Sequence, residues 1–433
     1  MDSTINYKTR YLIAFWAVLI QMLLGIIQGW SALKNPFTEL HGWTSPEAGF
    51  AFTLHLLFLG IAAAISGPFA DRKSPQKIFA VSTVLLFSGL ILTGIAAQLG
   101  SKLLLWIGYG VIAGFGSGMS YVTCLAVLVK WFPDKKGFIT GTLILAFGMG
   151  FAFTGHIAPL LINKISLGHT FYMLGFFCLL TFLPASYKIL SPPPVPVFTI
   201  SLTQKKINCT RSIPFRMAIK KDQIFILWMV FLINVSAGVA IISNLPSMIQ
   251  SQLGSNEVIA GTLMVFILLT ASTGSIFWAF LSDQIGCKIV YLLLLLTPAP
   301  IFIALPFINN IMIFTFACVY ILFCFGGGIA TMPAFAADTF GTRYIGGIYG
   351  FLMAAGGLSG ITGPALMQLS LETTGNYSLA FYSIGTILAL GAFLCALYNK
   401  TNLYPHRTSN LEESNSSISV RNRTIINEGL SDG

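Results

Sequence analysis

The chain has 433 residues, of which 55% are hydrophobic and only 9% are charged. Soluble domains carry roughly 25% charge, and so few charges cannot face a chain of this length to water. A mean hydropathy of +0.81 agrees; a soluble enzyme and a nucleic-acid binder are excluded, and an integral membrane protein is left.

A helix that crosses a bilayer needs about 20 mostly apolar residues. In chain order, runs of that kind lie at 11–33, 47–70, 78–99, 103–129, 138–163 and 169–190. A second set lies at 223–249, 257–281, 289–308, 311–337, 344–370 and 377–398. These are numbered spans 1 to 12. Together they predict an all-α membrane protein with an N-terminal half (1–190) and a C-terminal half (223–398). A Pro-rich, cationic linker (191–222) joins the halves, and a polar Ser/Asn-rich tail (399–433) follows; its composition predicts disorder.

Orientation follows from the cations. Counted over alternate loops, 21 lysines and arginines fall on one side and three (Lys34, Lys102 and Lys164) on the other. The rule that cytoplasmic loops are enriched in Lys and Arg places both termini and the linker in the cytoplasm. The net charge of +10 is thus a topology signal first; an affinity of the linker for anionic lipid is secondary. The first apolar run is too long for a cleaved leader. Cysteines lie in spans or in cytoplasmic loops, so no disulfide framework is expected, and no His/Cys cluster suggests a metal. Together with the lack of a convincing glycosylation site, this favours a bacterial inner membrane.

The chain also repeats. A shift of 212 residues superposes Gly42 on Gly254, Gly49 on Gly261, Asp71 on Asp283, Gly114 on Gly326 and Gly116 on Gly328. After a shorter loop, a shift of 205 superposes Gly155 and Pro159 on Gly360 and Pro364. Two six-helix halves in parallel orientation can enclose a polar path that opens alternately to each side.

Two groups of residues carry a family resemblance. Gly67-Pro-Phe-Ala-Asp71-Arg72-Lys73-Ser74-Pro75-Gln76-Lys77 resembles the G-x-x-x-D-R-x-G-R-K loop of the major facilitator superfamily, departing at Ser74 and Gln76. A degenerate copy, Ala279 to Lys288 with Asp283 and Gly286, stands in the second half. Gly42 to Leu54 and Gly114 to Tyr121, the latter running on to Lys130-Trp-Phe-Pro-Asp134-Lys-Lys-Gly137, resemble the oxalate/formate antiporter family, a relative of the monocarboxylate transporters. The resemblance implies a mid-membrane site between the halves and transport of small organic anions. That family's dicarboxylate exchangers use cations in spans 8 and 11. Span 8 here has none, and span 11 has only Arg343 at its edge. Oxalate is therefore not carried over, and a monocarboxylate is expected.

No Asp or Glu lies deep in a span; Asp338, at the end of span 10, comes nearest. His55 in span 2 and His156 in span 5 share a depth of roughly 10–12 Å below the outer surface. Either could trade a proton or bond an anion, or each could simply donate to a carbonyl in helix packing. Lys34 ends span 1, as a first cationic contact for an anion or as an interfacial anchor. Neutral candidates for lining the path are Gln28, Trp30, Tyr121, Asn234, Asn244, Tyr320 and Tyr349. By resemblance, Asp71 would latch onto the free amides at the start of span 11, Arg72 would pair near Asp134, and Asp283 would mirror Asp71 toward span 5. Glycine-rich spans 4, 5, 10 and 11 offer close helix contact.

The expectation is a monomeric secondary carrier that exchanges one small organic anion for another, without cofactor or enzymatic activity and with no partner besides substrate and lipid. The alternatives are proton-coupled uptake of a monocarboxylate or of a neutral or zwitterionic solute, and a non-transporting receptor on a transporter fold.

Overall fold

The computed structural model describes residues 7–72, 74–189, 212–253 and 257–398. The first six residues, most of the linker and the tail lie outside the described residues. Among those residues all regular structure is helical, and twelve helices are long and apolar enough to cross a membrane. They begin with Thr9–Gln28, Pro46–Asp71, Pro75–Leu99, Lys102–Trp131, Lys136–Thr154 and Leu167–Lys188. Asp222–Leu245, Phe266–Ile285, Cys287–Phe307, Ile311–Phe340, Ile345–Thr374 and Ser378–Leu397 complete the set.

Several boundaries have a local cause. Span 1 breaks at Gly29, whose backbone (ψ 43°) leaves the helical region, and the chain resumes as helix Trp30–His41. Glycine is required at the break, because a Cβ there would overlap the Thr154 side chain of span 5. The second helix ends on Gly42, left-handed at φ 64°. Span 10 starts on Asn310, whose side chain accepts from the amides of Met312 and Ile313. Span 4 contains a wide turn, the π-helical segment Trp106–Ala113, a feature that often accompanies functional sites.

Lipid cannot drive apolar helices together, so close packing must. Spans 1 and 5 approach reciprocally: Gly25 faces the Phe147 carbonyl and Gly150 the Met22 carbonyl. Across the two halves, span 2 lies along span 11, with Gly67 against Gly346, Ala63 against Gly350 and Gly60 against Gly357. Span 5 lies along span 8 in the same manner, with Gly137 against Ala279, Gly141 against Ser275 and Gly148 against Ser272. The two seams are related by the sequence repeat, since Gly67 and Ala279 stand 212 residues apart.

Candidate transport path and its gate

At one end of the bundle each seam finishes in a carboxylate. Asp71, closing span 2, accepts from the amides of Gly346 (3.0 Å) and Gly347 (2.7 Å) at the start of span 11. Lys130 at the end of span 4 pairs with it at 2.7 Å. Asp283, near the end of span 8, accepts from the amides of Gly137 and Phe138, both at 2.9 Å, at the start of span 5. In both cases the anion meets unpaired N–H groups at a positive helix end. Gly137 and Gly346 admit this approach, because a Cβ on either would crowd the carboxylate. Lys136 of span 5 adds an ion pair with Asp338 of span 10 at 2.8 Å. All these contacts except Lys130–Asp71 join one half to the other.

Asp134 has a partner that the motif does not name. Its partner is Arg10, at the start of span 1, with the Arg10 guanidinium 3.8 Å above the Phe132 ring. The ring gives Arg10 a cation–π seat that the motif spacing does not reveal. The Arg72 side chain and all of Lys73 lie outside the described residues.

Deeper in, buried polar atoms lack hydrogen-bond partners. Tyr349 on span 11 is 1% exposed, and its hydroxyl faces the Tyr121 side chain of span 4 in the opposite half without closing a well-formed hydrogen bond. Tyr121 packs edge-on against Phe147, and its carbonyl accepts from Gln21 Nε2 at 3.5 Å. Asn234 on span 7 overlies Gly328 of span 10 with its Oδ1 unpaired, and Thr331 one turn on has an unpaired hydroxyl. The adjacent Ala330 carbonyl accepts from Thr140 of span 5 at 2.7 Å, so this patch also lies where the halves meet. An unpaired buried polar group costs about 1–3 kcal/mol, and these recur on spans 1, 4, 7, 10 and 11.

Toward the other end, Gln28 and Trp30 are buried with Gln28 Nε2 and the indole N–H unpaired. The Trp30 ring packs on Tyr109 at 4.3 Å and stacks with Phe37 at 5.7 Å. Lys34, one turn further, is half-buried and has no acidic partner among the described residues. Burial holds its ammonium below the usual lysine range.

The remaining candidates sit within one half. His55 is fully buried; its Nδ1 donates to the Tyr109 carbonyl at 2.9 Å, inside the π-helical turn, and its ring packs on Tyr109. Tyr320 donates to Thr297 at 2.8 Å, tying span 10 to span 9. Asn244 donates to the Ala240 carbonyl of its own helix at 3.1 Å. The His156 side chain lies outside the described residues. Gln21, Thr331, Lys130 and Lys136 were not singled out from sequence: a lone amide or hydroxyl in an apolar run does not say which way it faces, and loop lysines read as topology. An open apolar groove of about 530 Å³, lined by Phe87, Ile91, Tyr172 and Phe176, lies between spans 3 and 6 and offers an anion nothing.

The family model for the Major Facilitator Superfamily matches residues 11–364 and 227–428. The chain belongs to this superfamily. Among its relatives is an uncharacterized MFS-type transporter, YhjX, of Escherichia coli, 26% identical over 362 residues and covering 82% of this chain and 87% of that protein. An oxalate:formate antiporter of Oxalobacter formigenes is 24% identical over 408 residues, covering 92% and 93%. The solved proton:xylose symporter XylE shares the fold with a TM-score of 0.69 at 15% identity, covering 91% of this chain and 96% of that one. Major facilitator proteins are typically transporters without enzymatic activity, and the twelve spans make this member a multi-pass integral membrane protein.

Proposed function

We propose that this protein exchanges small organic anions, monocarboxylates in particular, by alternating access between residues 1–190 and 223–398. The observation that carries the reading is Lys34: a half-buried cation without an acidic partner among the described residues, within six residues of two buried, unpaired N–H donors on Gln28 and Trp30. A carboxylate entering there meets charge first and neutral donors next. It would pass down to Tyr121, Tyr349 and Asn234, which bond an anion without the cost of a second buried charge. The name of the oxalate:formate antiporter relative supports an anion exchanger.

The described acidic side chains all lie near helix ends. None is therefore placed to carry a proton through the middle, which supports exchange over proton coupling. Asp71 and Asp283 act as paired latches on the cytoplasmic face, with Lys130 and Lys136–Asp338 beside them and Arg10–Asp134 bracing span 1 against the loop before span 5. Both termini lie in the cytoplasm, the membrane is a bacterial inner membrane, and the monomer is the working unit.

The test is flux in proteoliposomes preloaded with unlabelled monocarboxylates, without a pH gradient. Labelled uptake stimulated from the opposite side is the expected result. Uptake only after acidifying the outside would replace exchange with proton symport, and uptake of neutral solutes alone would overturn the anion assignment.

A further inference from the structure

The last stretch before span 7 touches the gate. Ile213 donates its amide to the Phe340 carbonyl at 2.9 Å, across the end of span 10. Ser212 lies against Gly341, which is held at φ 89°, where a Cβ would come within 2.8 Å of the Ser212 Cα. Phe215, opening the short helix Phe215–Ala218, packs on Gly347, and its ring lies 6.4 Å from that of Phe351. Gly347 is the residue whose amide Asp71 holds at 2.7 Å. The start of span 11 is therefore gripped from two sides, by Asp71 and by residues 212–215.

The outer surface of the same stretch has a distinct chemistry. Arg216, Lys220 and Arg343 are exposed, Lys221 is half-buried, and none has an acidic partner among the described residues. Between them project apolar side chains, Met217 at 58% exposure and Phe225 at 52%. Phe225 is already on the membrane-spanning helix, so this mixture of cations and apolar side chains stands where hydrocarbon gives way to headgroups. A soluble polyanion would match the cations and leave Met217 and Phe225 unexplained.

We infer that residues 212–221 form a strap which anionic phospholipid headgroups press against the start of span 11, so that lipid charge sets how firmly the Asp71 face stays closed. Headgroup phosphates bind Arg216, Lys220 and Arg343 while Met217 enters the acyl boundary. Phe215 passes the resulting restraint to Gly347, and Ile213 passes it to the end of span 10. The inference concerns the gate and does not depend on which solute is carried.

The experiment follows amide hydrogen exchange at Gly346 and Gly347 in the full chain, in phosphatidylcholine nanodiscs with and without phosphatidylglycerol. Exchange about tenfold slower with phosphatidylglycerol is expected, with the protection fading at high salt. The Arg216→Gln, Lys220→Gln double variant should lose most of that protection while exchanging normally elsewhere. Phe215→Ala should also lose it while exchanging normally elsewhere. Equal exchange in the two lipids overturns the proposal, as does protection that survives the double variant. Protection reproduced in phosphatidylcholine by free inorganic phosphate would show an ion site and overturn the membrane assignment. Because no flux is measured, an inactive carrier and a lipid-insensitive strap give different results.

Discussion

Asp71 and Gly346 stand 275 residues apart in the chain, yet the carboxylate of one accepts from the amide of the other at 3.0 Å. Asp283 and Gly137 repeat the relationship at 2.9 Å with the halves exchanged. Each carboxylate bridges two amides at a helix start, an arrangement that the opening we propose for that face would break.

Removing one latch should shift the balance between closed and open forms. Hydrogen bonds to a charged group contribute about 1.5–3 kcal/mol, and Asp71→Asn keeps an acceptor but loses the charge and the Lys130 pair. A loss of about 2 kcal/mol, or roughly 30-fold in the closed-to-open ratio, is expected. Spin labels at Lys77→Cys and Thr342→Cys read it as a longer-distance population, and an unchanged distribution would remove Asp71 from the gate.

Lys34 gives a pH signature. An anion is attracted only to the ammonium, and burial lowers its pKa, so the charge is present at neutral pH and is lost earlier on alkalinisation than for an exposed lysine. Uptake should fall as the outer pH rises through a range below about 10.4. Lys34→Arg should abolish that fall, and Lys34→Gln should weaken uptake at every pH.

Tyr349→Phe separates binding from folding. The hydroxyl's one polar neighbour is the Tyr121 side chain of the opposite half, so its removal takes away a single buried polar contact and should lower Tm only slightly. If the hydroxyl bonds the substrate, KM should rise about tenfold, equivalent to one hydrogen bond of about 1.4 kcal/mol. A markedly lowered Tm with unaltered KM would make Tyr349 a packing residue.

His55→Ala tests proton coupling from the opposite direction. Its Nδ1 bond to the Tyr109 carbonyl and its complete burial make it a brace for the π-helical turn. A stability loss of about 1–3 kcal/mol is expected from the orphaned carbonyl and lost packing, with the pH profile of transport unmoved. A displaced profile would restore the histidine to the mechanism.

How much was legible follows from what each signal measures. Hydropathy places all twelve spans to within several residues, because an apolar run of that length has little alternative in a bilayer. It sees composition but not direction, so the break at Gly29 and the π-helical turn Trp106–Ala113 were both read through as straight helix. Asp71 and Asp283 stood out because a repeated aspartate has no topological reason to exist, and the geometry found at each follows the resemblance. The Arg10 contact with Asp134 is not legible, because Arg10 arrives from a distant segment and is seated by Phe132. Tyr320 donates to Thr297 and Asn244 to the Ala240 carbonyl of its own helix, contacts that an apolar run does not announce. A sequence without an alignment cannot supply rotation about a helix axis.

The glycine contacts along spans 2 and 11 have a kinetic meaning. Where Gly60 meets Gly357 and Gly67 meets Gly346, backbone meets backbone with no interlocked rotamers to disengage. Parting them at these points sacrifices weak dispersion and asks no side chain there to find a new well. In the alternating-access cycle we propose, the barrier to each stroke is concentrated in a few ionic clasps at the rim. Turnover should respond steeply to charge there and hardly at all to the bulk of the aromatic side chains that fill the rest of the molecule.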